Sequence, residues 1–418
     1  MLTLVWLGRL LETGGPASLT PVPAHALRDA CGVLASVVRL GGADLVGACN
    51  VSAGVAALAA LLRAPRALGP LAAAAAVDFL QAALAPSLDP RRRALGGPLG
   101  PAALSPGERA LVATVLAAGG APGSALVPAL MRAHAGADVV VGLDVDRDRF
   151  DKFGFRSQVD SLLMELWNDG ACLASTAALA AAAAAAGDGD GGLASSEFGL
   201  YLESVLNSLI YLLEDCLTRL KAIRDVEAQQ EDAVAWAALD ARARHDKEAY
   251  LAHEGRVTRS FMSMAISCLS VLARLSATPS IAAAMDAPHL AAKVGYAAAA
   301  AVNAVAGPAG ADVVKLARPE RFRYDPPRLL ASVAEIVTGL AARSPALATA
   351  LAGEADFDAA AFAAAAAAVG AVDYGLGQRL EALSADVLER KQGGGRGGAA
   401  AAAPAAASLD LSLPTPPV

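Results

Sequence analysis

The chain has 418 residues, with 34 Lys and Arg against 41 Asp and Glu, so its formal net charge is −7. This acidic balance gives no electrostatic support for nucleic-acid binding, which needs a basic surface. Although 55% of the residues are apolar, alanine runs supply much of that fraction, and alanine favours helix while burying little surface. The composition therefore predicts a helical protein with protein partners and no nucleic-acid partner.

Membrane insertion and secretion receive no support from the sequence either. We find no run of about 18 strongly apolar residues, which a spanning helix needs, and the opening stretch lacks the basic region and cleavage site of a secretory signal. Five cysteines are scattered without a CxxC pair: Cys31, Cys49, Cys172, Cys216 and Cys268. They are typical of reduced structural thiols. We therefore expect a cytoplasmic and nuclear protein with no membrane partner.

Residues 1–135 alternate short apolar runs with Gly and Pro breaks, which predicts helical hairpins packed in layers. Two runs show helical spacing: Leu27, Val33, Leu34 and Val37, and then Val77, Leu80 and Leu84. The polar faces of these helices are thin. They are therefore expected to pack into an all-helical body.

The segment 137–156 brings the first dense charge. Asp144, Asp146 and Asp148 occupy the first, third and fifth positions of a calcium-binding loop. However, Arg149 replaces the Gly expected at position six, and Phe155 replaces the Glu expected at position twelve. A solvated turn is therefore favoured over a calcium site.

An amphipathic helix is predicted at 157–168, followed by a flexible loop at 187–192. The apolar face of this helix consists of Val159, Leu162, Leu163, Leu166 and Trp167.

The strongest helical signal runs from Ser195 to Arg224, with Ser195 or Ser196 as the predicted cap. Its apolar stripe repeats at spacings of four and three: Leu202, Leu206, Leu209, Leu213, Cys216, Leu220 and Ile223. Further apolar residues widen the stripe beyond a two-position seam. We therefore expect a central core helix that neighbours cover on more than one side.

Residues 225–257 continue the helical pattern but carry many charges of both signs. Trp236 and Tyr250 are among its few large apolar residues. A solvated, projecting helix held by ion pairs is favoured over a binding face. His245 and His253 are eight positions apart with no third ligand at metal spacing, so they are expected to be surface histidines.

Two further features follow along the chain. A buried helix face is predicted from Phe261, Met264, Cys268, Leu272 and Leu275, with Met262 and Met264 filling the core. The segment 317–330 is then expected to be an extended or turn-forming loop, because prolines restrict its backbone. Its Phe322 and Tyr324 are spaced to point the same way, and a structural corner is favoured over a partner contact.

Helical patterns resume at 329–341, 356–370 and 378–390, and a low-complexity tail follows that cannot bury enough surface to fold. No nucleophile elbow, Walker loop, Rossmann fingerprint, HExxH motif or catalytic carboxylate pair occurs. We therefore predict no catalytic, cofactor-binding or metal-binding residues and no cofactor. The residues by themselves indicate a helical interaction scaffold.

Several motifs, in order, resemble those of the ubiquitin conjugation factors of the ubiquitin-fusion-degradation type. They are RFDKFGFR at 149–156, Leu166-Trp167, the helix at 206–227, Arg259 with Phe261 and Met262, Gly307-Pro308, and the Pro-Glu-aromatic loop at 319–326. The resemblance covers about 149–345 most clearly. It implies an all-α, elongated, armadillo-like stack of helical hairpins. It also implies a role in elongating polyubiquitin chains.

The family resemblance implies an order of parts and a set of partners. Residues 1–135 form a degenerate N-terminal helical part, 136–391 the elongation-factor core, and 392–418 a disordered tail. Family members end in a U-box that docks a ubiquitin-charged conjugating enzyme, and 392–418 is shorter than the roughly 50 residues a domain needs. The implied partners are a conjugating enzyme, if a U-box exists, an AAA-type unfolding ATPase, ubiquitinated substrates and ubiquitin-like-domain shuttle proteins. A non-catalytic adaptor is the alternative.

Overall fold

The computed structural model describes residues 24–43, 55–56, 58–59, 62–63, 70–88, 105–120, 125–141, 150–186, 196–308, 310 and 316–394. Within these residues the chain is 88% helical, with 15 α-helices and no strand. The predicted all-α class is therefore confirmed.

The helices fall into two halves around one long central helix, α7. The first half contains α1 (Ala24–Val37), α2 (Pro70–Leu88), α3 (Pro106–Gly120), α4 (Leu126–Val141), α5 (Lys152–Leu166), α6 (Gly170–Ala186) and α7 (Glu197–Glu231). The second half contains α8 (Ala233–Ala238), α9 (Ala241–Ala277), α10 (Pro279–Met285), α11 (Pro288–Ala306), α12 (Pro326–Ala341), α13 (Ala346–Gly353), α14 (Ala359–Gly370) and α15 (Tyr374–Gly394).

Helix α7 is the centre of the molecule, as the sequence predicts. It packs against α4, α6, α9 and α11, and every residue of its predicted stripe is buried. Of the two candidate caps, Ser196 is the one used, since its Oγ accepts a bond of 3.2 Å from the Gly199 N–H. Burial from several sides makes α7 the common core of both halves.

Successive helices pack as layers on either side of α7. In the first half α1 packs on α2, α2 on α3, and α3 on α6, while α4 packs on α5. In the second half α11 contacts α13, α12 contacts α14, and α15 closes against α12, α13 and α14. This arrangement is the predicted elongated, armadillo-like stack of helical hairpins.

Helix α9 runs antiparallel to α7 and supplies the predicted buried face. Met262, Met264, Cys268, Leu272 and Leu275 are buried, whereas Phe261 is only partly covered. Within the part of the chain that the structure describes, α9 is long and apolar enough to cross a membrane, with an 18-residue window of mean hydropathy 1.4 of which 44% is buried. Counting each of two bent helix pairs as one span raises the candidates in these residues to three. The sequence expectation concerned a run of about 18 strongly apolar residues, and the expected lack of a membrane partner stays a prediction.

Local differences from the sequence expectations have simple causes. Val33 is exposed, because α1 turns Leu27, Cys31 and Leu34 toward α2 instead. The Pro326-Pro327 pair does not form an extended segment but begins α12, where a missing N–H costs nothing.

The charged segment after α7 is not one continuous helix. The chain breaks at Asp232 and at Asp240, and each carboxylate caps the helix that follows. The amphipathic helix predicted at 157–168 begins earlier, at Lys152, because Asp151 caps it through the Gly154 N–H at 2.9 Å.

Some predictions lie outside the described residues. These are the Asp144, Asp146 and Asp148 turn, Cys49, the loop at 187–192 and the tail from 395 onward. The division at 135/136 and 391/392 stays a prediction.

Candidate functional site

A sealed polar cluster joins three helices, α4, α5 and α7, beneath the surface. Arg156 on α5 donates to the His134 carbonyl on α4 at 3.2 Å and to the Ser208 hydroxyl on α7 at 3.1 Å. Tyr201 on α7 donates to Asp160 Oδ1 at 2.7 Å, and His134 Nε2 lies 3.4 Å from the same oxygen. The side chains of Asp160 and His134 are almost completely buried. Removing any one partner would leave another polar group unsatisfied in the core.

The surroundings of the cluster raise the pKa values of the Tyr201 hydroxyl and of the neighbouring Cys268 thiol. Burial, with the Asp160 carboxylate beside it, raises the pKa of Tyr201 well above its usual value. Burial and Asp160 also raise the pKa of the Cys268 thiol on α9, although Arg156 opposes the change. The Tyr201 hydroxyl and the Cys268 thiol are therefore protonated at neutral pH and buried. The hydrogen bonds of the cluster fix the mutual positions of α4, α5 and α7.

Sequence reasoning missed this cluster. Its members are separated by 22, 41 and 52 positions along the chain, so no local spacing marks them as a group. Arg156 does lie within the RFDKFGFR motif, one of the motifs on which the family resemblance depends. That arginine was the one available sequence signal.

Helices α7 and α9 separate from the body above a charged junction. Arg219 on α7 donates to Asp215 at 2.5 Å and to Glu254 on α9 at 2.6 Å. Its guanidinium lies 5.6 Å from the ring centroid of Phe261, which is 6.0 Å from that of Phe153 on α5. The junction therefore ties α5, α7 and α9 together where the buried stripe ends.

A loop before α12 braces the same junction. The Ala317 N–H donates to Glu227 Oε2 on α7 at 3.2 Å. The Phe322 ring packs on Gly255 of α9, where an added Cβ would lie 3.2 Å from Phe322 Cε1. Phe322 and Tyr324 are both buried, and burial raises the pKa of Tyr324 to about 12. The prediction that Phe322 and Tyr324 pin this loop is confirmed, whereas the choice of a structural corner over a partner contact stays a prediction.

Beyond the junction α7, α8 and α9 form a projecting hairpin, which we define as residues 224–257. None of its residues is buried. Ion pairs and polar contacts hold it, including Arg224 to Glu231 at 3.1 Å and Lys247 to Gln229 at 2.8 Å. This confirms the predicted solvated helix.

The two predicted surface histidines lie on the projecting hairpin, and four of the cysteines lie in the core. His245 and His253 are exposed, as expected of surface histidines. Among the described residues no group of three or more His, Cys, Asp and Glu side chains could hold a metal ion. The four described cysteines are free and buried: Cys31, Cys172, Cys216 and Cys268. Burial raises the pKa of the Cys31, Cys172 and Cys216 thiols to about 12, so they are protonated at neutral pH.

One family model matches this architecture. It is described as the ubiquitin elongating factor core, and it matches residues 104–385, more than half of the chain. The match begins beside the capping box of α3, where Ser105 and Glu108 cap each other, and ends within α15. It includes the sealed cluster, the charged junction and the projecting hairpin. The chain therefore belongs to the ubiquitin elongating factor core family.

Proposed function

We propose that this chain is the scaffold of a ubiquitin chain-elongation factor, acting as a ubiquitin–ubiquitin ligase core in ubiquitin-dependent protein degradation. The family match over residues 104–385 is the observation that carries the proposal. Chain elongation requires a substrate-bound ubiquitin and a charged conjugating enzyme to be held close together, and proximity of this kind contributes much of the rate. A rigid helical body suits that task.

The proposed partners follow the same logic. If the full gene product contains a U-box, the conjugating enzyme would dock through it, and the scaffold would bind an AAA-type unfolding ATPase, ubiquitinated substrates and ubiquitin-like-domain shuttle proteins. We propose that it works in the cytoplasm and the nucleus. The sealed cluster of Arg156, Asp160 and Tyr201 supports the scaffold role, because its hydrogen bonds link α4, α5 and α7.

A reconstituted reaction tests the proposal. Activating enzyme, conjugating enzyme, ubiquitin and a substrate that already carries one ubiquitin are incubated with the purified chain, alone or fused to a U-box. We expect the fusion to lengthen the ubiquitin chains and the chain alone not to do so. A fusion that performs no better than the isolated U-box would contradict the elongation role.

A non-catalytic adaptor is the second candidate. The projecting hairpin favours it, since an exposed helical surface can bind a partner without any transfer step. Binding of the ATPase and of ubiquitinated substrate to the chain, measured by surface plasmon resonance, separates the candidates. If the chain binds these partners but its U-box fusion does not stimulate the lengthening of ubiquitin chains, the adaptor is supported. If the chain binds them and the fusion stimulates lengthening, the elongation factor is supported.

A further inference from the structure

Lysine is scarce in this chain. Of its 34 basic residues only six are lysines and 28 are arginines, and no lysine precedes residue 152. The six are Lys152, Lys221, Lys247, Lys293, Lys315 and Lys391. Lysine amines are the acceptors of acetyl groups and of ubiquitin, whereas the arginine guanidinium stays protonated and has no lone pair to offer. The side chains of this protein therefore provide few amines for acyl transfer.

In the described part of the chain, four of these amines are held by a neighbouring group. The Nζ atoms meet a ring, a side-chain amide, a carboxylate and a backbone carbonyl: the Phe153 ring centroid at 4.9 Å from Lys152, Gln229 at 2.8 Å from Lys247, Glu203 at 3.0 Å from Lys293 and Glu354 at 2.8 Å from Lys391. Each contact favours the charged ammonium, and the nitrogen has to leave it before attacking an acyl carbon. These four lysines are therefore slow acceptors.

Lys221 differs from these four. It is exposed on α7, directly after the buried Leu220. Among the lysines that the structure describes, it is the one whose Nζ makes no hydrogen bond, ion pair or ring contact. Thr218 and Asp225, its neighbours on the same side of the helix, are exposed as well. The Lys221 amine is therefore open to an incoming acyl group.

Helix α7 also holds this amine at a defined place. Leu220 and Ile223 are buried on either side of Lys221 along the chain, so the backbone beneath the free side chain belongs to the core. Lys221 lies two positions beyond Arg219 of the charged junction and three positions before the projecting hairpin begins. A rigid backbone presents the amine at a constant position, and a constant position favours reaction with a docked partner.

We propose that Lys221 is the residue at which this chain is itself modified with ubiquitin. The inference rests on the proposed function, which brings a ubiquitin-charged conjugating enzyme to the scaffold. The neutral Lys221 amine attacks the carbonyl carbon of the thioester that joins ubiquitin to this enzyme. A C–N isopeptide bond forms and the C–S bond breaks, and the leaving sulfur takes the electron pair of that bond and the proton lost by the nitrogen. The chain is then a substrate of its own reaction.

A self-modification reaction tests the assignment. The full chain fused to a U-box is incubated with activating enzyme, conjugating enzyme and ubiquitin, without a substrate, and mass spectrometry of tryptic peptides locates the modified lysines. If each held amine reacts roughly fivefold more slowly, the factor for a partly exposed ion pair, Lys221→Arg should lower the ubiquitin attached to the chain by about half or more. Lys293→Arg is the control and should leave it unchanged, because Lys293 already pairs with Glu203.

Chemical acylation measures the free amine without any ubiquitin enzyme. The unfused chain is treated with a limiting amount of N-hydroxysuccinimide acetate, and acetylation of each lysine is followed by mass spectrometry. In the native chain Lys221 should react roughly fivefold faster than Lys293. In concentrated urea the two rates should become equal, because unfolding removes the contact between Lys293 and Glu203.

The outcomes separate this inference from the proposed function. A fusion that lengthens ubiquitin chains on a substrate but carries no ubiquitin on Lys221 overturns the inference and leaves the elongation role in place. A fusion that is modified at Lys221 but lengthens no chains supports the acceptor and contradicts the elongation role. Undiminished self-modification of the Lys221→Arg fusion, or equal acetylation of Lys221 and Lys293 in the native chain, also overturns the inference.

Discussion

The same pair of helices, α7 and α9, behaves differently on the two sides of Arg219. Within the body α7 buries an uninterrupted stripe against four neighbouring helices. In the projecting hairpin no residue is buried, and Val226 and Leu251 are only partly covered. The difference shows that a continuous helix does not imply uniform packing. The core ends where apolar residues are no longer buried, and beyond that point ion pairs and polar contacts between side chains hold the helices.

This contrast has a consequence for local stability. Segments with few buried apolar contacts open at lower free energy than the core to which they are attached. The hairpin is therefore expected to exchange its amide hydrogens faster than the α7 segment in the body. The junction at Arg219 and the loop at Phe322 mark the boundary between the two regimes.

The largest effect is expected from a charge placed in the body. Leu209→Asp puts a carboxylate into a site that is 3% exposed and should lower the free energy of unfolding by several kcal/mol, enough to unfold a marginally stable domain. Thermal melting measures the loss. The matched change in the hairpin, Val234→Asp, should leave the melting temperature nearly unchanged. Equal melting temperatures for the Leu209→Asp and Val234→Asp variants would contradict the proposed difference in packing between the body and the projecting hairpin.

A smaller loss is expected at the boundary. Phe322→Ala empties a buried aromatic site and should lower the free energy of unfolding by about 3 kcal/mol. Arg323→Ala is the control, because the Arg323 side chain is exposed. Arginine and alanine both carry a Cβ, so the substitution leaves the backbone strain at the positive φ of 58° unchanged. Urea unfolding of both variants gives the comparison. A Phe322→Ala protein that keeps its stability but loses binding to the ATPase would make this loop a partner contact.

The sealed cluster should give an intermediate to small effect. Tyr201→Phe removes the hydroxyl that donates to Asp160, which leaves a buried carboxylate short of one donor and should cost about 1–3 kcal/mol. Tyr250→Phe makes the same chemical change on the hairpin, where the residue is 41% exposed, and should cost nothing measurable in urea unfolding. A neutral Tyr201→Phe would mean that the cluster does not stabilise the body.

The smallest effect is local to the hairpin. Arg219→Ala removes the ion pairs of Arg219 with Asp215 and with Glu254. Because these ion pairs are partly exposed, the free energy of unfolding should fall by only about 1 kcal/mol. Hydrogen exchange should become faster in 224–257 while the amides of α7 in the body keep their protection. Arg242→Ala, whose side chain is 92% exposed, is the control and should change neither region. Faster exchange throughout the protein would contradict a local role for Arg219.

The sequence alone determined the all-α class, the central position of α7 and the solvated character of 224–257. Each depended on a local pattern: the stripe from Leu202 to Ile223 repeats at helical spacing, and mixed charges at close spacing cannot be buried cheaply. The motif order also indicated the family, because those residues are recognised in sequence order without knowledge of their contacts.

Only the tertiary structure decided which distant residues meet. His134, Arg156, Asp160 and Tyr201 lie on three different helices, and their hydrogen bonds depend on helix packing that no local spacing encodes. The same holds for Val33, since helical spacing allows either side of α1 to face inward and the packing of α2 selects Leu27, Cys31 and Leu34. Local periodicity fixes which residues share a side of a helix, whereas the neighbouring helices fix which side is buried.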